Sequence, residues 1–179
     1  MGAFLRRLAA VCAVVLGAVA APGCVTEEDG DPWSIAVGDG CPAFEVTLDD
    51  GRTVGTADLA GRRTMVVFFN TACADCRREL PQVQLVADML AAETAGDAPD
   101  APPAVICVSR GEGAGSVARY WEEHGLTLPY SAQPDDAVYR LFARSVIPRV
   151  YIIGADLRVA AVYVESLPEA DELVAAMRR

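Results

Sequence analysis

Cys73 and Cys76 are the residues of this chain best suited to chemistry: two thiols separated by two residues, near enough to close a disulfide with each other. They follow an apolar run, 65–69, and a short polar turn, 70–72, and they stand where a helix begins. A Cys-x-x-Cys at a strand-to-helix junction is a recurring place for redox chemistry. Unpaired N–H groups and the helix dipole favour an anion at the first position, and the thiolate is the nucleophilic form of cysteine. A zinc site would need two more ligands at suitable spacing. His124 is the only histidine, and Cys41 and Cys107 stand alone in the sequence, Cys107 in an apolar strand that makes it a buried, inert thiol. No metal or cofactor is implied.

The elements that must position the pair follow from periodicity. Phe44, Val46 and Leu48 alternate with polar residues as a half-buried strand, Asp49-Asp50-Gly51 turns it, and 53–54 returns. Residues 56–61 form one helical turn closed by glycine. The unbroken apolar run 65–69 predicts a strand covered on both faces. From Cys76 to about Glu93, Leu80, Val83, Ala87 and Leu90 make a helical stripe, with Pro81 expected to kink it. Residues 94–103 are a Gly/Pro/Asp/Ala loop and 104–109 a second buried strand. The glycine cluster 111–115 lacks the Gly-Lys-Ser/Thr ending of a phosphate loop and reads as a plain loop. Ser116 is expected to cap the next helix and Gly125 to end it, with His124 at a dipole-favoured helix end. Residues 135–142 predict a short helix with Val138, Leu141 and Phe142 inward, 149–164 a β-hairpin, and Ser166 the cap of a last helix reaching about Met177. Trp33, Tyr120, Trp121 and Tyr130 read as core or rim aromatics. Strands and helices in this order make an α/β fold: a mixed sheet flanked by helices on both faces, with an N-terminal β-hairpin.

The chain of 179 residues carries 15 basic and 25 acidic side chains, a net charge of −10 that argues against a nucleic-acid partner. Residues 1–23 read as a signal peptide: Arg6 and Arg7 precede an apolar stretch shorter than the roughly 20 residues a spanning helix needs. Ala21-Pro22-Gly23-Cys24 resembles a lipobox, with lipid attached at Cys24; Ala18-Val19-Ala20 is the alternative site for plain cleavage. Residues 24–34 are an acidic tether and 35–179 the folded domain. Cleavage before Cys24 takes away two arginines and no acid, so the mature charge is 13 − 25 = −12. Either route, like an uncleaved anchor, places the domain outside the cytoplasm, in the cell envelope on the periplasmic or outer face, where disulfides persist.

Cys-x-x-Cys at a strand–helix turn, Pro81 eight residues after the first cysteine and Ile147-Pro148 ahead of a hairpin resemble the thioredoxin fold. The Gly38-Asp39-x-x-Pro42-x-Phe44 opening and Asp58-Leu59-Ala60-Gly61 are similar to the extracytoplasmic TlpA/ResA-like thiol–disulfide oxidoreductases, and the resemblance covers about 35–177. It implies that Cys73 attacks, that Cys76 resolves from a more buried position, and that Pro148 is a cis-proline facing the dithiol. It also implies that Ala72, Ile147 and Arg149 meet a protein substrate bearing a disulfide or thiols, the Ile147 backbone pairing with it as a short strand. A membrane-bound electron donor re-reduces such a protein. Three positions depart from the family pattern: Ala72 where Trp is usual, Val67 where an acid often lies, and Asp75 between the cysteines. Val67 leaves Glu79 as a candidate for proton transfer. Asp75 opposes thiolate formation on Cys73, which makes the pair a stronger reductant; Arg77, Arg78 and Arg149, a possible basic rim, pull the other way. The balance leans to a reductase. The alternatives are a peroxiredoxin-like peroxidase, whose Pro-x-x-x-Thr-x-x-Cys would need Pro and Thr at Val66 and Asn70, and a redox-inactive tethered binding module.

Overall fold

The computed structural model describes residues 32–93 and 104–179. The signal peptide, Cys24, most of the tether and the loop 94–103 lie outside the described residues. Strands β1 (Glu45–Thr47) and β2 (Thr53–Gly55) pair antiparallel as a separate hairpin, and a 3-10 turn, Thr56–Leu59, follows. The main sheet contains β3 (Thr64–Phe69), β4 (Val105–Ser109), β5 (Tyr130–Ser131), β6 (Arg149–Ile153) and β7 (Val159–Val164). Its order is β5-β4-β3-β6-β7, with β3, β4 and β5 parallel and β6 and β7 antiparallel to their neighbours. Helices α1 (Ala74–Glu93) and α2 (Ala114–His124) make the crossovers between the parallel strands, and α3 (Ala170–Arg178) closes the chain.

The run 65–69 is buried on both faces because β3 is the middle strand. Side chains alternate across a strand. Met65, Val67 and Phe69 therefore join α1, α2 and α3 in one core, while Val66 and Phe68 join the hairpin, Leu59, Tyr139 and Phe142 in the other. Among the described residues, α1, α2 and α3 all cover the first face, and helix on the second is reduced to the turn Thr56–Leu59 and a 3-10 turn at Tyr139–Leu141.

Three local expectations are corrected. Gly113, not Ser116, is the N-cap of α2, which already begins at Ala114, so the end of the glycine cluster is helical. Glu169, not Ser166, is the N-cap of α3; Pro168 biases Leu167 toward extended backbone, so the helix starts after it. In 135–142 only Tyr139–Leu141 is helical, and Leu141 is 45% exposed while Tyr139 and Phe142 are buried. The 3-10 period of three places Tyr139 and Phe142 on one side. α1 runs through Pro81, and Gly125 ends α2 in the left-handed conformation at φ +62°.

Candidate active site

β3 delivers the chain to Asn70, and Asn70 shapes the turn that follows. Its carbonyl accepts the Cys73 N–H at 3.0 Å, its Oδ1 accepts the Ala72 N–H at 2.8 Å, and its Nδ2 donates to the Arg110 carbonyl at 3.0 Å. Asn side chains commonly fold back onto nearby backbone in this way. Glu112 holds the next residue from outside: its carboxylate accepts the Thr71 N–H at 2.7 Å and the Thr71 hydroxyl. Glu112 stands in the glycine cluster, 41 residues from Thr71, with no local signal of that contact. An acid beside a strand end adjacent to β3 is the only hint the sequence carries.

Cys73 immediately precedes α1, and the Cys76 N–H donates to its Sγ at 3.2 Å. The sulfur thus takes the place of a capping oxygen on an otherwise unpaired helical donor. Cys73 is partly exposed and Cys76 is fully buried; both are free thiols. Burial is the first cause that pushes the Cys76 thiol up, the contact with Cys73 the second, and the Asp75 charge a lesser one. Cys73 Sγ also lies 3.6 Å from the Ile147 carbonyl, and the Ile147–Pro148 peptide is cis. The structure therefore brings together Cys73 and Cys76 from one segment with Ile147 and Pro148 from another. Ala72, next to Cys73 in the chain, is exposed. Asn70, Cys73, Arg110, Asp136 and Ile147 line an open cleft of about 420 Å³.

Arg149 does not form a basic rim. It is fully buried, its Nη1 donating to Ser34 Oγ at 2.7 Å and its Nε to the Val146 carbonyl at 3.4 Å. Val150 faces the helices, so strand alternation turns Arg149 toward the opposite face, beneath the N-terminal segment. Arg77 is exposed, whereas Arg78 is engaged by Asp75 at 2.7 Å and Glu79 at 3.0 Å. Asp75 faces a cation of its own, and Glu79 holds Arg78 on the helix surface.

The turn before Pro148 has its own supports. Tyr139 donates its hydroxyl to the Ser145 carbonyl and to the Val146 carbonyl, the latter at 2.8 Å. The Arg110 guanidinium lies 4.4 Å over the Tyr139 ring. Neither residue is marked by the sequence as part of a site. The usable signals are the aromatic pair Tyr139 and Phe142 at a spacing of three, and the position of Arg110 directly after a buried strand parallel to β3.

The other singled-out residues sit apart. Cys41 packs with the hairpin core and Cys107 with the helical core, so the sheet separates them. Burial pushes the Cys41 thiol up to about 11, and it pushes Cys107 up as well. Trp121 is buried between Phe69 and Tyr130, each 4.9 Å away, Tyr120 and His124 stack at 3.9 Å, and Trp33 is 65% exposed under Arg144. Raised thiols are poor nucleophiles near neutrality. Iodoacetamide at about pH 8 is therefore expected to label Cys73 about tenfold or more faster than Cys41, Cys76 or Cys107, as read by mass spectrometry of the labelled peptides.

Comparison with known proteins places this geometry. The chain is 24% identical over 168 residues to thiol-disulfide oxidoreductase ResA of Geobacillus kaustophilus (strain HTA426), covering 93% of this chain and 92% of that one. It superposes with a TM-score of 0.64 and 22% identity on a thiol:disulfide interchange protein, a thioredoxin family protein from Chlorobium tepidum TLS, covering 81% of this chain and 97% of that one. It also matches the pneumococcal exposed lipoprotein thioredoxin of Streptococcus pneumoniae strain TIGR4, with a TM-score of 0.58 and 20% identity over 76% of this chain and 98% of that one. These two solved structures share the thioredoxin-like fold. The AhpC/TSA family model matches residues 37–162, most of the chain and all of the dithiol site, and the chain belongs to the AhpC/TSA family.

Proposed function

We propose that this chain is an extracytoplasmic protein thiol–disulfide oxidoreductase acting as a reductase through Cys73 and Cys76. One observation carries the reading: a partly exposed Cys73 caps α1, with buried Cys76 beneath it and the cis Ile147–Pro148 backbone against its sulfur. The name of the Geobacillus relative supports the same chemistry. The Cys73 thiolate attacks one sulfur of a substrate disulfide. That S–S bond breaks, a mixed disulfide forms, and one substrate sulfur leaves as a thiolate. Cys76 then loses its proton and attacks Cys73 Sγ, releasing the second substrate sulfur. Two electrons have passed to the substrate, and the Cys73–Cys76 disulfide awaits a dithiol donor in the membrane. Ala72 and the Ile147–Pro148 backbone, which border the sulfur, receive the substrate chain.

The direction is supported by Asp75, an acid between the two cysteines that disfavours a thiolate beside it, tempered by its ion pair with Arg78. The envelope location and the lipid at Cys24 rest on the N-terminal pattern of basic residues, apolar stretch and Ala-Pro-Gly-Cys. The peroxidase reading gains nothing from the geometry: Asn70, at the position of its threonine, spends its side chain on the turn backbone.

The test is insulin reduction by the mature domain with dithiothreitol as electron source. The expected result is precipitation of the insulin B chain well ahead of dithiothreitol alone. An unaccelerated reaction sinks the oxidoreductase reading, and a reduction potential near that of strong oxidants, about −120 mV, reverses its direction.

A further inference from the structure

We propose that Arg110 is a positioning residue of this site, the strut that fixes the Ile147–Pro148 turn relative to the Cys73 turn. The inference rests on the dithiol's being an exchange centre for polypeptides, and it adds the residue that sets the shape of the cleft such a substrate enters.

Arg110 is bound to both turns at once. On one side its main chain belongs to the dithiol turn: its N–H donates to the Phe69 carbonyl at 2.8 Å, and its carbonyl accepts Asn70 Nδ2 at 3.0 Å. The same Asn70 holds the N–H groups of Ala72 and Cys73. On the other side its guanidinium belongs to the proline turn: Nη1 donates to the Ser145 carbonyl at 3.0 Å and Nη2 to the Arg144 carbonyl at 3.2 Å. Two residues further on, the Ile147 carbonyl stands 3.6 Å from Cys73 Sγ. The turn that carries the reacting sulfur and the backbone that receives a substrate are thus joined by one residue, through its main chain on one side and its guanidinium on the other.

The chemistry of the side chain fits that task. A guanidinium is a planar, rigid fork of donors and serves two successive carbonyls; an ammonium is a point charge and serves them poorly. The guanidinium carbon also lies 4.4 Å over the Tyr139 ring, a cation–π contact that helps to hold it in place. The Tyr139 hydroxyl bonds the Ser145 carbonyl that Arg110 also takes, and the next carbonyl, Val146, at 2.8 Å. Arg110 also lines the cleft with Asn70, Cys73 and Ile147. It exchanges no proton or electron with the substrate. A polypeptide that must lie along the Ile147 backbone depends on the strut, and a small reagent that needs only the Cys73 sulfur does not.

The test compares Arg110→Met, which keeps reach but removes every donor, with Arg110→Lys. In Arg110→Met, kcat/KM for insulin is expected to fall about tenfold or more, as misplacement of a docking element by about 1 Å does, with Arg110→Lys between it and wild type. Iodoacetamide labelling of Cys73 is expected to stay within about twofold of wild type. Amide exchange is expected to quicken about tenfold or more in 70–73 and 145–147 while the core of β3 and β4 keeps its protection. Insulin kinetics within twofold of wild type, or labelling that falls by the same factor as insulin reduction, overturns the strut. Should Arg110→Met fail to fold, Tyr139→Phe, which removes the hydroxyl from the same carbonyls and keeps the ring, carries the same comparison with a smaller effect. If wild type itself leaves insulin untouched, the exchange reading has failed, and amide exchange alone then decides whether Arg110 joins the two turns: unchanged protection rejects it.

Discussion

Cys76→Ser is expected to end turnover and to leave substrate polypeptides bound to Cys73 as mixed disulfides. The physical reason is placement. Cys76 is fully buried, and its N–H already touches Cys73 Sγ at 3.2 Å. From there it reaches the Cys73 sulfur of a mixed disulfide and little else, which in the proposed reaction makes it the thiol that resolves the intermediate and not the one that attacks first. Serine keeps the volume and the helix, but its hydroxyl does not displace a thiolate from sulfur. Insulin reduction is expected to drop more than about a hundredfold, as it does when one member of a catalytic unit is removed. Complexes should persist on non-reducing gels and vanish with dithiothreitol. Cys73→Ser should be as inactive and trap nothing, since the remaining thiol is buried and pushed up. Equal trapping by both variants would exchange the roles of the two cysteines, and trapping by neither would show that the pair does not react with protein disulfides. Mass spectrometry of the trapped complexes names the substrates directly.

The two halves of this site differ in how far the sequence reveals them. Cys73 and Cys76 announce themselves because their relation is local: two residues of spacing, an apolar strand before and a helical stripe after. Ile147-Pro148 was legible only through resemblance, since Cys73 and Ile147 are 74 positions apart and nothing in the sequence between them says that they meet. The supports left only faint traces in the sequence. Glu112 reaches Thr71, and Arg110 reaches Ser145, across sheet neighbours whose pairing is set by the whole fold. Arg149 shows the same limit from the other side. An arginine beside the site reads as a surface cation, and only the parity of β6 and the N-terminal segment laid over it make it a buried donor to Ser34 and Val146. The short helix near 139 failed by its period: a stripe counted for an α-helix puts Leu141 inside, while a 3-10 turn puts Tyr139 there.

Phe68→Ala carries the largest expected cost in stability. Phe68 is fully buried in β3, and its ring sits 4.9 Å from Phe142, 5.2 Å from Tyr139 and 6.2 Å from Tyr151. Removing a ring enclosed on these sides leaves a cavity that neighbouring rings cannot fill without leaving their own contacts. Such a truncation costs about 3–5 kcal/mol, a fall in melting temperature on the order of 10 °C for a domain of this size. Thermal unfolding followed by circular dichroism measures it, and a loss under about 1 kcal/mol would mean that the second core relaxes freely. The consequence extends to the site. Tyr139 packs on Phe68 and holds the Ser145 and Val146 carbonyls just ahead of the cis-proline turn. A loosened Tyr139 ring therefore loosens the backbone opposite Cys73. Well below its melting temperature, Phe68→Ala should still be labelled normally at Cys73 by iodoacetamide yet reduce insulin more slowly. Phe68→Leu, which refills much of the volume, should recover most of both losses. Stability and the shape of the cleft are coupled here through one aromatic cluster, because the strand that leads into the dithiol turn is also the middle of the core.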